Sequence, residues 1–316
     1  MEKRKKAFIF GLAGCLAVCC APCRAEENEK EGALRAVIFY QSQIWVQDIN
    51  IMQQIADSIE EQLDGYPGIA FSSYGVENIS MTEAIKAAVG MKTDVMIFYG
   101  IDSEEAKKEY QMLKDRGIRL ILADGDAQSS GRFAYVGTDN YEGGVQAADL
   151  IAQKKGAGTS VAVLAPNLDT TLCSVGGRLR GFKEAAPSKE LDIQAYCETT
   201  YDSLTAIQQI ETLLDEHPDV EVLYCAEAVS GQAAADVVEE RGLKDQIMVI
   251  TYDINQNIEE DLISGALDVT LMQDTEAIGQ ACAEKLIALA EEPEMESTQD
   301  VLFSCIPMTA HDIEGE

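Results

Sequence analysis

Short apolar runs rich in Val, Ile and Leu alternate with helical stretches from residue 35 to near the end of the chain, and this alternation narrows the fold more than any other feature. The runs are RAVIFY (35–40), IAFSSY (69–74), DVMIFYG (94–100), RLILADG (119–125), SVAVLAP (160–166), LDIQAYC (191–197), VEVLYCAE (220–227), QIMVITYD (246–253) and ALDVTLMQD (266–274). Strands with one wet face alternate apolar and polar residues. These runs are mostly continuous, which marks strands buried on both faces of a parallel sheet with helices as crossovers. Nine such strands in 316 residues suit an α/β protein of two doubly wound parallel-sheet lobes better than one wide sheet.

Several runs end in a residue able to hydrogen-bond or stack: Tyr99, Asp124, Glu227, Asp253 and Gln273. In open parallel sheets a ligand sits beyond the carboxyl ends of the strands. Each residue taken singly has another role open to it, because an acidic residue after a strand often caps the next helix. As a set they point to one shared pocket. The stretch YVGTDNYEGG (135–144) resembles a phosphate cradle, but a dinucleotide loop needs G-x-G-x-x-G directly after the first strand. Here Asp139 to Glu142 instead has the D-x-x-E spacing of a capping box, and the glycines allow close backbone passage.

The first residues read as an address. Lys3, Arg4, Lys5 and Lys6 precede the 15-residue apolar run AFIFGLAGCLAVCCA, which is short for a membrane span. Within it, Leu12-Ala13-Gly14-Cys15 resembles the lipobox of bacterial lipoproteins, which implies lipid attachment at Cys15. Cleavage after Ala25 and an uncleaved anchor are the other readings; all three place the body outside the cytoplasm. Residues 1–25 are therefore taken as leader and 26–33 as an acidic tether. Four of the nine cysteines lie in the leader. Cys173, Cys197, Cys225, Cys282 and Cys305 are isolated, which suits buried thiols and leaves a disulfide open. A net charge of −31 repels phosphate backbones and anionic headgroups, so nucleic acid is not an expected partner.

Five segments in order carry a resemblance: YVGTDNYEGGVQAADLI, the RLRGF of Arg178 to Phe182, HPDVEVLYCAE, MVITYD ending at Asp253, and DVTLMQDTEAIG. Together they resemble the sugar-binding periplasmic-binding-protein type 1 family, the group of ribose- and galactose-binding proteins, over roughly residues 35 to 310. The resemblance implies two α/β lobes joined by a three-crossing hinge, with lobe 1 formed by 34–138 plus 274–303 and lobe 2 by 139–273 plus 304–316. It places the first crossing at Gly137, Thr138 and Asp139. It also implies a ligand site of Ser42, Gln43, Trp45, Tyr99, Asp124, Arg178, Tyr201, Glu227, Asp253 and Gln273. The chemistry suits a sugar: carboxylates accept from hydroxyls, Arg178 donates in a planar fork, and Trp45 and Tyr201 offer flat faces to the C–H side of a ring.

The chain departs from the family pattern at three places. Tyr99 stands where asparagine is common, Glu227-Ala228 where asparagine-aspartate is common, and Gly125 where an arginine usually follows the equivalent of Asp124. Three carboxylates then face one arginine, which favours a polyol, an amino sugar or another ligand carrying positive charge over plain ribose.

Only two histidines exist, His217 and His311, both far from the strand tips, so metal-based or histidine-based catalysis lacks parts. Asp124, Glu227 and Asp253 could in principle supply a glycosidase's paired carboxylates. A transcriptional regulator of related fold would need a basic N-terminal DNA-binding unit. The expectation is an extracytoplasmic solute-binding protein, not an enzyme, without cofactor or metal and monomeric. The resemblance implies an ABC permease as partner, with a sensor kinase or chemoreceptor as the alternative.

Overall fold

The computed structural model describes residues 32–42, 50–169 and 174–315. The chain runs β1 (Leu34–Gln41), α1 (Ile51–Leu63), β2 (Ile69–Val76), α2 (Met81–Gly90), β3 (Val95–Tyr99), α3 (Glu104–Asp115), β4 (Arg119–Ala123) and β5 (Ala134–Thr138). It continues through α4 (Asn140–Lys155), β6 (Ser160–Ala165), α5 (Ser174–Ala185), β7 (Asp192–Glu198), α6 (Ser203–Glu216), β8 (Val222–Cys225), α7 (Ala228–Glu240), β9 (Met248–Tyr252), α8 (Gln256–Ser264) and β10 (Val269–Met272). It ends with α9 (Thr275–Glu291), β11 (Val301–Phe303), β12 (Ile306–Met308) and α10 (Ala310–Glu314).

Two six-stranded sheets result, and they share one plan. The orders are β11-β5-β4-β3-β1-β2 and β12-β10-β9-β8-β6-β7, so β1 to β5 of the first correspond to β6 to β10 of the second. The first sheet is parallel throughout; the second departs only where β12 runs antiparallel to β10. Both faces of each sheet are covered. Helices α1 and α9 pack on one face of the first sheet and α2 and α3 on the other. In the second, α6, α7 and α8 oppose α4 and α5. Strand residues such as Ile38, Ile97, Ile121, Val163, Leu223 and Ile250 are therefore almost wholly buried, as continuous apolar runs require.

Strand β5 is formed by AYVGT (134–138), and the tail supplies β11 and β12; none of the three is among the nine runs read from sequence. Each has five residues or fewer and gains its strand character from pairing with distant partners, not from a local pattern. The other strands match, with ends shifted by up to three residues.

The chain passes between the sheets at three places. After β5 it enters α4, which packs on the second sheet; after β10 it enters α9, which packs on the first; and Ser304–Cys305 joins β11 to β12. The first two passages are built alike. Asp139 and Asp274 cap α4 and α9, each accepting from the backbone N–H three residues on at 3.0 and 2.9 Å. Helices α4 and α5 then meet at close range because of glycine: a Cβ on Gly144 would lie 2.0 Å from the Arg178 carbonyl oxygen, and one on Gly181 would lie 1.9 Å from that of Tyr141. This contact sets Arg178, on α5, against the start of α4.

Candidate ligand-binding site

Asp124 follows β4 and Asp253 follows β9, the equivalent strand of the other sheet. Both take the left-handed backbone conformation, at φ 62° and 63°, which short Asx side chains tolerate better than most. Each N–H donates to the adjacent strand, Asp124 to the Val136 carbonyl at 3.2 Å and Asp253 to that of Leu271 at 3.1 Å. The carbonyl of Asp124 accepts from the Tyr135 hydroxyl at 2.9 Å, and that of Asp253 accepts from Thr270. Two strained, doubly braced turns thus direct carboxylates toward one point.

Gln273 joins them. Its amide nitrogen donates to Asp253 Oδ1 at 3.0 Å and hydrogen-bonds Asp124, while its amide oxygen accepts from the Thr138 hydroxyl at 2.7 Å. Arg178, buried, donates from Nε to Asn140 Oδ1 at 3.0 Å and from Nη1 to the Ala226 carbonyl at 3.1 Å. Its guanidinium lies 4.0 Å above the Tyr252 ring and 3.9 Å from Asp253 Oδ2. Burial first, and then the charge of Asp253, push the Asp124 pKa up to about 6; Arg178 and Gln273 pull it down by less.

Next to this network opens a cleft of about 700 Å³, a volume suited to a small ligand. Tyr99, Ile101, Asp102 and Asp126 border it from the first sheet, Asn167, Ser174, Arg180 and Tyr201 from the second, and Tyr135 with Thr138 to Tyr141 from the crossing. A cavity of about 690 Å³ in the first sheet's half shares Tyr99 and Ile101 with the cleft and reaches Asp124.

Residues 43–294 match the family model described as periplasmic binding protein domain. The chain belongs to this family. Among curated proteins, the ribose import binding protein RbsB of Escherichia coli strain K12 is 25% identical over 187 residues. That match covers 59% of this chain and 62% of RbsB, so the chain spans less than two thirds of that relative's length. Among solved structures, GanP, a glucose-galactose binding protein from Geobacillus stearothermophilus, superposes with TM-score 0.76 at 22% identity over 89% of this chain and 98% of GanP. The XylFII–LytSN complex gives TM-score 0.72 at 20% identity over 89% of this chain and 99% of its counterpart. These two likenesses show the fold, that of the type I periplasmic binding proteins.

In this periplasmic binding protein, Asp124, Arg178, Asp253 and Gln273 come together in one hydrogen-bonded group. Tyr99 and Tyr201 line the cleft, Tyr201 with 60% of its surface exposed. Glu227 lies beside the group but is turned to its own helix. It caps α7, accepting from the backbone N–H of Val229 at 2.6 Å and Ser230 at 2.8 Å and from the Ser230 hydroxyl. Burial raises its pKa against those bonds. Ser42 is exposed at the end of β1 and lines neither cavity. Gln43, Trp45, Cys15 and Cys173 lie outside the described residues. Cys197, Cys225, Cys282 and Cys305 are free thiols.

Two contributors escaped the sequence reading. Asn140 sits behind the cap residue Asp139 and orients Arg178, and Tyr252 ends an apolar strand yet supplies the platform for the guanidinium. The T-D-N run after a strand was the available signal for Asn140. Two of the three departures from the family pattern prove to be one. A Cβ at Gly125 would lie 2.6 Å from the Tyr99 ring and 2.8 Å from the Gly100 carbonyl oxygen, so the ring of Tyr99 occupies the place of a side chain at 125.

Proposed function

We propose that this chain is an extracytoplasmic solute-binding protein that captures a small carbohydrate-like ligand between two lobes and delivers it to an ABC importer. One observation carries the reading: carboxylates from equivalent strand tips of two sheets, a buried guanidinium and a carboxamide converge where the chain crosses between the sheets. Hydroxyl-rich ligands suit such a set, and Tyr99 and Tyr201 give it apolar faces. Residues 34–138 with 274–303 and residues 139–273 with 304–316 act as the two lobes, and Gly137, Thr138 and Asp139 flex as they close on ligand. The family resemblance adds Ser42, Gln43 and Trp45 to the binding surface and an acylated Cys15 as anchor; labelling with a palmitate analogue, lost in Cys15→Ser, tests the anchor.

Thermal unfolding of the purified protein against sugars, polyols, amino sugars and nucleosides tests the function. A ligand present at a hundred times its Kd stabilises the bound state by about 2.7 kcal/mol, an upward shift of several degrees. No shift with any sugar, polyol or amino sugar overturns the reading. A second reading, a ligand-sensing subunit that signals to a chemoreceptor or sensor kinase without transport, draws support from the neighbour solved in complex with a second protein, LytSN. Permease and ATPase genes beside this one favour import; kinase and response-regulator genes favour sensing.

A further inference from the structure

We propose that the ligand of this site is a polyhydroxylated molecule bearing a basic nitrogen, an amino sugar or aminopolyol, whose ammonium pairs with the Asp124 carboxylate where the adjoining cavity meets the cleft at Tyr99 and Ile101. The inference rests on the solute-capture reading above and narrows it to one ligand chemistry. It follows from which charges at the site already have partners.

Arg178 is anchored on the side of the second sheet. Its hydrogen bonds go to Asn140 and Ala226, its flat face rests on Tyr252, and its nearest carboxylate is Asp253. Glu227 directs its charge at the N-terminus of α7, where backbone N–H groups and the helix dipole offset it. Asp253 therefore has both the guanidinium and the Gln273 amide. Among the described residues Asp124 shares that amide and feels the charge of Arg178 without an ion pair to it, and it faces the Asp253 carboxylate.

The basic side chains around Asp124 do not supply the missing charge. Position 125 is glycine, and the Tyr99 ring fills the space a longer residue would need. Arg132 pairs with Asp126 and Asp300, at 2.8 and 2.7 Å. Arg180 lies over the Tyr141 ring at 5.6 Å. The cleft wall carries Asp102, Asp126 and Asp139 besides Arg180, with Asp126 paired to Arg132 and Asp139 capping α4. A neutral hydroxyl placed at Asp124 leaves its charge uncompensated, and an anion is repelled. An ammonium neutralises it with a charge-assisted hydrogen bond. Burial first, and then the Asp253 charge, raise the Asp124 pKa, which agrees in direction with a carboxylate that gains from a cationic partner.

Calorimetry with matched pairs tests this: glucose with glucosamine, galactose with galactosamine, mannose with mannosamine, and 1-deoxynojirimycin as a ring-nitrogen probe. In the pairs that bind, the amino member is expected to bind roughly ten- to a hundredfold more tightly, the worth of one hydrogen bond to a charged group. Asp124→Asn, checked for intact thermal unfolding, is expected to bring that ratio close to one. Neutral members binding as tightly as their amino counterparts would overturn the inference and leave the carbohydrate reading standing. A preference that survives in Asp124→Asn would overturn the assignment to Asp124. If no sugar of either kind binds, the solute-capture reading itself fails, and this inference with it.

Discussion

Thr138 and Gln273 hold equivalent positions, each one residue before the aspartate that caps a helix crossing to the other sheet, and their side chains hydrogen-bond to each other at 2.7 Å. Both are almost fully buried. The bond ties the first two crossings together at the point where Gln273 also holds Asp253. Thr138→Val keeps the shape and removes the donor, leaving the Gln273 oxygen unpaired in a dry site. A loss of about 1–3 kcal/mol in unfolding free energy is expected from denaturant titration. Unchanged stability would mean the bond does not form in solution.

Arg178 is held on three sides by Asn140, Ala226 and Tyr252, which fixes the guanidinium without help from ligand. Truncation removes both the charge and the fork. Arg178→Ala or Asp253→Ala is expected to weaken ligand binding by about ten- to more than a hundredfold, the range for one hydrogen bond to a charged group. Arg178→Lys should rescue little, since a point ammonium does not reproduce the planar donors or the stacking. Calorimetry showing unchanged affinity in the alanine variants would place the ligand elsewhere.

Asp124 gives the folded protein a definite pH response. Its folded pKa of about 6 stands above the ordinary 3.8, chiefly through burial and then through Asp253, with Arg178 and Gln273 opposing. A carboxyl raised in the folded state contributes stability that is fully present below its unfolded pKa and is lost as pH rises through the folded one. Between pH 4 and 6, ionisation of Asp124 therefore works against the fold. Asp124→Asn carries no charge at any pH, so its ligand-free Tm should exceed that of the wild type at pH 7.5, with the gap closing by pH 4. A lower Tm for the variant at pH 7.5 would contradict the shift.

Gly181 is where α5 passes closest to α4. A methyl group there meets the Tyr141 carbonyl, part of the helix backbone, and a side-chain rotation does not relieve it. Gly181→Ala is expected to destabilise by about 1–3 kcal/mol and to weaken binding as well, because the same contact seats Arg178 against Asn140. A variant with wild-type stability would show that the two helices can separate freely.

Most of the fold was legible because strands buried on both faces leave continuous apolar runs, which local composition reveals. Strands β11 and β12, three residues each, carry no such run; they exist because distant partners offer hydrogen bonds. At the site, the strand ends picked out Asp124, Asp253 and Gln273 and the family resemblance added Arg178, which the structure gathers into one network. It also picked out Glu227, which serves its own helix as cap; residue type alone does not separate a carboxylate facing a cleft from one facing backbone N–H groups. Asn140 and Tyr252 stayed hidden for a related reason. Their roles depend on where Arg178 comes to rest, a relationship between α4, α5 and β9 that no local window contains.

A crystal structure of the protein with the tightest-binding sugar or amino sugar tests the central claim most directly, since the claim is that one small molecule touches both sheets' strand tips at once. Ligand density is expected between Tyr99 and Tyr201, within hydrogen-bond distance of Asp124 on one side and of Asp253 or Arg178 on the other. Density confined to the cavity beside Phe39 and Phe98, or contacting residues of one sheet alone, would contradict capture between lobes.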